Sequence, residues 1–93
     1  MKAAMLLVAL LAPPAFADSA CQGVAKLYQA AAEDRDTGFP MQAELDDVAR
    51  STLAANVKFQ FSTVIHLTYE SPRYRRMSPQ RLRRYILNTC VGV

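Results

Sequence analysis

Two cysteines, Cys21 and Cys90, stand near opposite ends of this chain, and the residues ahead of them decide how they are read. Met1-Lys2 supplies a short positive start. Ala3 to Ala12 is an unbroken apolar run, Pro13-Pro14 breaks it, and Ala15-Phe16-Ala17 carries the small-x-small pattern that a signal peptidase reads. The pattern is that of a secretory signal peptide over residues 1–17, too short to serve as a permanent membrane anchor. Export into an oxidising compartment makes a cysteine pair a disulfide, and two cysteines allow a single intramolecular connectivity, Cys21–Cys90. Closing a loop of about 70 residues stabilises a fold by roughly 4 kcal/mol in the chain-entropy model. Neither cysteine lies in a Cys-x-x-Cys setting, and the only histidine is His66, so no zinc ligand set is expected.

Cleavage after Ala17 leaves residues 18–93 as one small domain. A chain of that size is marginal on its core alone, so a covalent staple fits.

Hydrophobic spacing predicts an all-α fold of about four helices, a small bundle whose first and last members are joined by the disulfide. Asp18 to Thr37 reads as the first helix, capped by Asp18 or Ser19. Cys21, Val24, Ala25, Tyr28, Ala31 and Ala32 recur at spacings of three and four and make its apolar stripe. Gly38 is placed to end it with positive φ. Pro40 opens a second helix to about Arg50, with Met41, Leu45 and Val48 inward and Glu44, Asp46 and Asp47 in water.

Residues 52–70 fit two patterns. Val57, Phe59, Phe61, Ile65, Leu67 and Tyr69 alternate as a strand would. Leu53, Val57, Phe61, Val64, Ile65 and Thr68 fall on a helical stripe. A strand of that length would extend about 60 Å, too long for this domain, and no other segment alternates well enough to pair with it. A helix apolar on more than one side, central to the bundle and capped by Ser51 or Thr52, is the expectation; a hairpin bent near Ser62-Thr63 is the alternative. Ser71-Pro72 ends this element and Arg73 to Met77 is a basic connector. Ser78-Pro79 starts the last helix, in which Leu82, Tyr85, Ile86, Thr89 and Cys90 form the inward face.

Charge is split along the chain. Residues 18–70 hold eight acids and four bases, whereas residues 71–93 hold six arginines and no acid. Arg81, Arg83 and Arg84 fall in the first turns of the last helix, where the helix dipole disfavours cations. Two readings account for them. The arginines pair internally with Glu33, Asp34, Asp36, Glu44, Asp46 and Asp47, or they face outward as a site for an anionic partner, since guanidinium forks suit carboxylates and phosphates. The candidate surface is Arg73, Tyr74, Arg75, Arg76, Arg81 and Arg84. Its partner is expected to be another periplasmic protein or an anionic envelope component. Nucleic acid is not expected of an exported protein, although Tyr74 among arginines would permit stacking. No second apolar stretch is long enough for a transmembrane helix.

Chemistry-bearing motifs are missing. There is no Gly-x-Ser-x-Gly elbow and no phosphate-cradling glycine loop, the glycines being Gly23, Gly38 and Gly92. Asp34, Asp36, Asp46 and Asp47 come without a nucleophile–base–orienter set. His66, between Ile65 and Leu67, reads as a core histidine, with pH sensing as its functional alternative. The composition thus points away from an enzyme and from any cofactor or metal. It points toward a non-enzymatic binding protein, in one version an inhibitor or immunity-type protein. An acid-stress chaperone that loosens when its carboxylates are neutralised is one alternative, and a cationic protein that binds membrane surfaces is another.

The early Cys21, Arg35-Asp36-x-Gly38-x-Pro40, Thr68-Tyr69-Glu70-Ser71-Pro72, Ser78-Pro79 and the late Cys90 together resemble a group of small, exported, uncharacterised proteins of Gram-negative bacteria. The resemblance covers most of residues 18–93. It implies a helical, periplasmic, disulfide-linked domain, and it carries over neither an activity nor a functional residue.

Overall fold

A computed structural model describes residues 13–91, with side chains from residue 20 to residue 90. The first helix begins at Pro13, so Asp18 and Ser19 fall inside it instead of capping its start, and most of the expected leader lies outside the described residues. Within them the protein is all-helical, with five helices: α1 (Pro13–Asp36), α2 (Met41–Arg50), α3 (Ala55–Glu70), α4 (Pro72–Arg75) and α5 (Pro79–Val91). No described helix is long and apolar enough to cross a membrane.

The stripe on α1 folds inward much as its spacing predicts. Cys21, Ala25, Tyr28, Ala31 and Ala32 are buried, whereas Val24 is 41% exposed at the margin of the stripe. The helix ends at a Schellman turn. Gly38 takes φ 88°, Phe39 N–H donates to Asp34 C=O at 2.9 Å, and Gly38 N–H donates to Arg35 C=O at 3.1 Å. This turn aims the chain at Pro40, the N-cap of α2.

The ambiguous stretch is a continuous helix, so the hairpin alternative does not form. Helix α3 starts later than expected. Ser51 closes α2 instead of capping α3, its hydroxyl and its N–H both donating to Val48 C=O at 2.6 and 3.1 Å. Ala54 is the N-cap of α3 and offers no side-chain bond. Nor is α3 central. It buries Val64, Ile65 and Thr68 on one face and leaves Phe59 74% exposed on another.

Helix α1 supplies most of the core and packs chiefly against α5 and then against α3, while α2 and α4 lie on α3. Ala25, Tyr28, Ala31, Ala32, Val64, Leu82 and Ile86 form the core. Small alanines on α1 admit the larger Leu82 and Ile86 of α5 at close range. The basic connector is partly helical, as α4. Ser78 caps α5 as expected, its Oγ accepting from Arg81 N–H at 3.2 Å.

The Cys21–Cys90 bond is present, with Cα atoms 5.9 Å apart. The inward face of α5 is shorter than its spacing suggests. Leu82 and Ile86 are buried, but Thr89 and Cys90 are exposed. The bond therefore lies at the rim of the α1–α5 contact, with Cys21 on its buried side.

Candidate functional site

The arginine-rich end of the molecule is organised by a residue that precedes it by more than thirty positions. Arg35, in the last turn of α1, has a side chain only 13% exposed. Its Nη1 donates to Thr68 C=O at 3.1 Å and to Tyr74 C=O at 3.0 Å. Its Nη2 donates to Met77 C=O at 2.9 Å, and its Nε holds Asp36 Oδ1 at 2.9 Å. Thr68 C=O lies in the last turn of α3, where carbonyls lack intrahelical donors, and the same planar guanidinium also serves Tyr74 C=O, which accepts Met77 N–H as well, and Met77 C=O in the link after α4. The α3 end, α4 and the following link are thereby pinned to the end of α1.

Pinning this segment leaves the arginine side chains outside. Arg73, Arg75, Arg76, Arg81 and Arg84 are exposed. Among the described residues the ion pairs are Arg35–Asp36 and Arg50–Asp47, with His66 hydrogen-bonded to Glu70, and none of the five exposed arginines takes part. Internal pairing with the acidic helices is therefore not how the structure accommodates them. Arg73 Nη1 donates to Tyr85 OH at 2.8 Å, and its guanidinium lies 5.9 Å from the centroid of that ring. Arg83 stands apart from the group, half-buried, with Nη1 3.4 Å from Gln29 Oε1. Arg73, Arg76 and Arg81, with Pro72 and Met77, line one depression of about 470 Å³. A neighbouring hollow of about 290 Å³ is lined by Pro72, Arg75 and Arg76.

Tyr74 does not share this surface. It is half-buried, and its ring meets Tyr28 and Tyr85 edge-on at centroid distances of 5.6 and 5.9 Å. Burial, with a smaller contribution from Tyr74, raises the Tyr28 hydroxyl above the usual tyrosine range. The tyrosines seat the basic segment on the core, and Tyr74 is committed to that packing rather than to stacking on a partner.

His66 is a correction. It lies on the outer face of α3, exposed, with Nδ1 3.1 Å from Glu70 Oε1 one turn on. Glu44 is another. The spacing puts it in water, yet it turns toward α1 and joins Asp34 at an apolar cavity of about 120 Å³ whose walls include Leu27, Val48, Phe61 and Ile65. Burial first, and then Asp34 and Asp47, push the Glu44 carboxyl up to about 7. Tyr69 of α3, whose hydroxyl donates to Phe39 C=O at 2.7 Å, is raised by burial, by Glu44 and by Asp34, against a lowering by Arg35.

The sign of the Glu44 effect follows from linkage. The folded state holds this proton more tightly than the unfolded chain does. The stabilisation is therefore fully present below the ordinary carboxylate range and is lost as pH rises through about 7. Chemical unfolding should give a higher midpoint at about pH 6 than at about pH 8, and Glu44→Gln, which cannot ionise, should flatten that difference. An unchanged pH slope in the variant would assign the effect elsewhere.

The fold and this surface define a disulfide-closed helical domain with a cationic end. No protein family model, curated protein or solved structure matches the chain.

Proposed function

We propose that this is an exported, non-enzymatic binding protein of the periplasm that engages an anionic partner through Arg73, Arg75, Arg76, Arg81 and Arg84. In this reading residues 1–17 are a cleaved leader and residues 18–93 a small helical bundle. The observation that carries it is a row of exposed guanidiniums with no carboxylate partner among the described residues. Like charges held together on one surface repel, and a fold gains nothing from them unless a counter-charge arrives. The Arg35 clamp and the tyrosine cluster keep the segment that bears Arg73, Arg75 and Arg76 from rearranging toward the acids of α2. That preorganisation lowers the cost of binding.

The test is retention on immobilised heparin as a function of salt. Replacing Arg75, Arg76, Arg81 and Arg84 together by Ala should move elution to clearly lower salt, because an exposed cationic site binds electrostatically and is screened. Equal retention of the variant and the parent protein would refute the surface.

A further inference from the structure

We infer that the depression between α4 and the start of α5 is a binding site for an organic phosphomonoester, with Arg73, Arg76 and Arg81 as its anion-holding groups. The inference rests on the reading of the arginine surface given above and narrows it to one ligand chemistry. Three arginines from two helices and their link converge on one hollow with Pro72 and Met77. A carboxylate carries one charge, and a single guanidinium fork satisfies it. Three guanidiniums around a common space call for more charge and more acceptor oxygens. A phosphomonoester supplies about −1.5 to −2 charge near neutral pH and three terminal oxygens.

The start of α5 offers little by way of backbone donors. Pro79 has no N–H, Arg81 N–H is taken by Ser78 Oγ at 3.2 Å, and Leu82 N–H is taken by Ser78 C=O at 2.8 Å. Gln80 N–H is the one first-turn donor left without such a partner, so recognition falls chiefly to the side chains. Arg73 is already oriented, one of its donors being held by Tyr85 OH at 2.8 Å.

Size argues for an organic ester over the bare ion. About 470 Å³ lies within the range of small-molecule sites, roughly 300 to 1,000 Å³. Pro72 and Met77 give the hollow an apolar side on which a glycerol or sugar moiety can rest. The same phosphate could arrive free in solution or on a lipid headgroup, and the two sources are separable by experiment.

The disulfide-bonded protein is titrated with glycerol 3-phosphate by calorimetry, and its sedimentation is followed with vesicles containing phosphatidic acid, a monoester, or phosphatidylglycerol, a diester. Phosphatidic acid should be preferred over phosphatidylglycerol. Arg76→Gln/Arg81→Gln should weaken binding by at least about tenfold, as expected for loss of charge-assisted bonds. Arg75→Gln/Arg84→Gln removes the same charge outside this hollow and should weaken it by no more than about threefold. These residues are exposed, and an unchanged circular dichroism spectrum checks each fold. Binding of glycerol 3-phosphate would identify a free ester as sufficient. Binding to phosphatidic acid vesicles alone would identify the surface-presented headgroup.

Equal losses in the two double variants, or equal binding to both lipids, would overturn the phosphomonoester site. So would heparin retention with no binding to any phosphate probe, an outcome that leaves the broader anionic surface standing. Failure on heparin as well would sink both.

Discussion

Reduction of the Cys21–Cys90 bond is expected to cost this protein about 4 kcal/mol of stability, since the bond closes a separation of 69 residues. A domain this small has a total stability of only about 5–15 kcal/mol, and its core is correspondingly thin. A loss of that size shifts the thermal midpoint by roughly 15–30 °C. The geometry allows the entropic effect to be isolated. Cys90 is exposed, so Cys90→Ala removes the cross-link without opening a cavity. It should match the reduced parent protein in urea unfolding. Cys21 is 5% exposed, so Cys21→Ala should be weaker still by its lost packing. Mass spectrometry on material from an exporting host should find a chain beginning at Asp18 with no alkylatable thiol. Equal stability of the oxidised and reduced forms would remove the staple from any account of this fold.

Arg35→Met should cost about 3 kcal/mol and should also weaken anion binding at a distance. Hydrogen bonds to charged groups contribute more than neutral ones, about 1.5–3 kcal/mol each, and stripping a shared donor leaves its acceptors short, although Tyr74 C=O keeps Met77 N–H at 3.1 Å. Three carbonyls lose their guanidinium donor together, those of Thr68, Tyr74 and Met77, at 3.1, 3.0 and 2.9 Å. Methionine fills much of the space and supplies none of the donors. Arg35→Lys keeps the charge without the planar fork, and it should recover part of the loss. Urea midpoints give the stability. Heparin retention of still-folded Arg35→Met gives the second effect, because Arg73, Arg75 and Arg76 ride on the segment that Arg35 holds. Normal stability and normal retention together would show that the clamp is dispensable.

Much of the helical framework was legible in residue spacing. Cys21, Ala25, Tyr28, Ala31 and Ala32 turn inward as their periodicity predicts, Gly38 stops α1, and Ser78-Pro79 starts α5. These signals are local, each acting within a turn or two of backbone. The failures are local rules overridden by packing. Leu53 precedes α3 because Ser51 is spent on closing α2. Thr89 and Cys90 continue the α5 periodicity past the point where α1 covers it. His66 has apolar neighbours in sequence, but those neighbours point along other faces of α3.

The candidate site was legible only as composition. Six arginines without an acid are visible in the chain, but whether they meet the acidic helices depends on where α4 and α5 come to rest. Nothing near Arg35 in the chain announces that its acceptors lie 33 to 42 residues further on. Glu44 likewise looked solvated until α2 docked it beside Asp34.

By itself, then, the chain's order of residues determined that the fold is helical, where α1 stops and α5 starts, which stripe of α1 turns inward, and that its cysteines can pair in a single intramolecular way. Those properties follow from hydrogen bonds and side-chain spacings that close within a few residues. Tertiary structure alone decided which polar groups face one another: the guanidinium of Arg35 with its distant carbonyls, Glu44 with Asp34, and the outer arginines with no counter-charge. Such meetings are set by how helices stack and cross, and no short-range pattern encodes that arrangement.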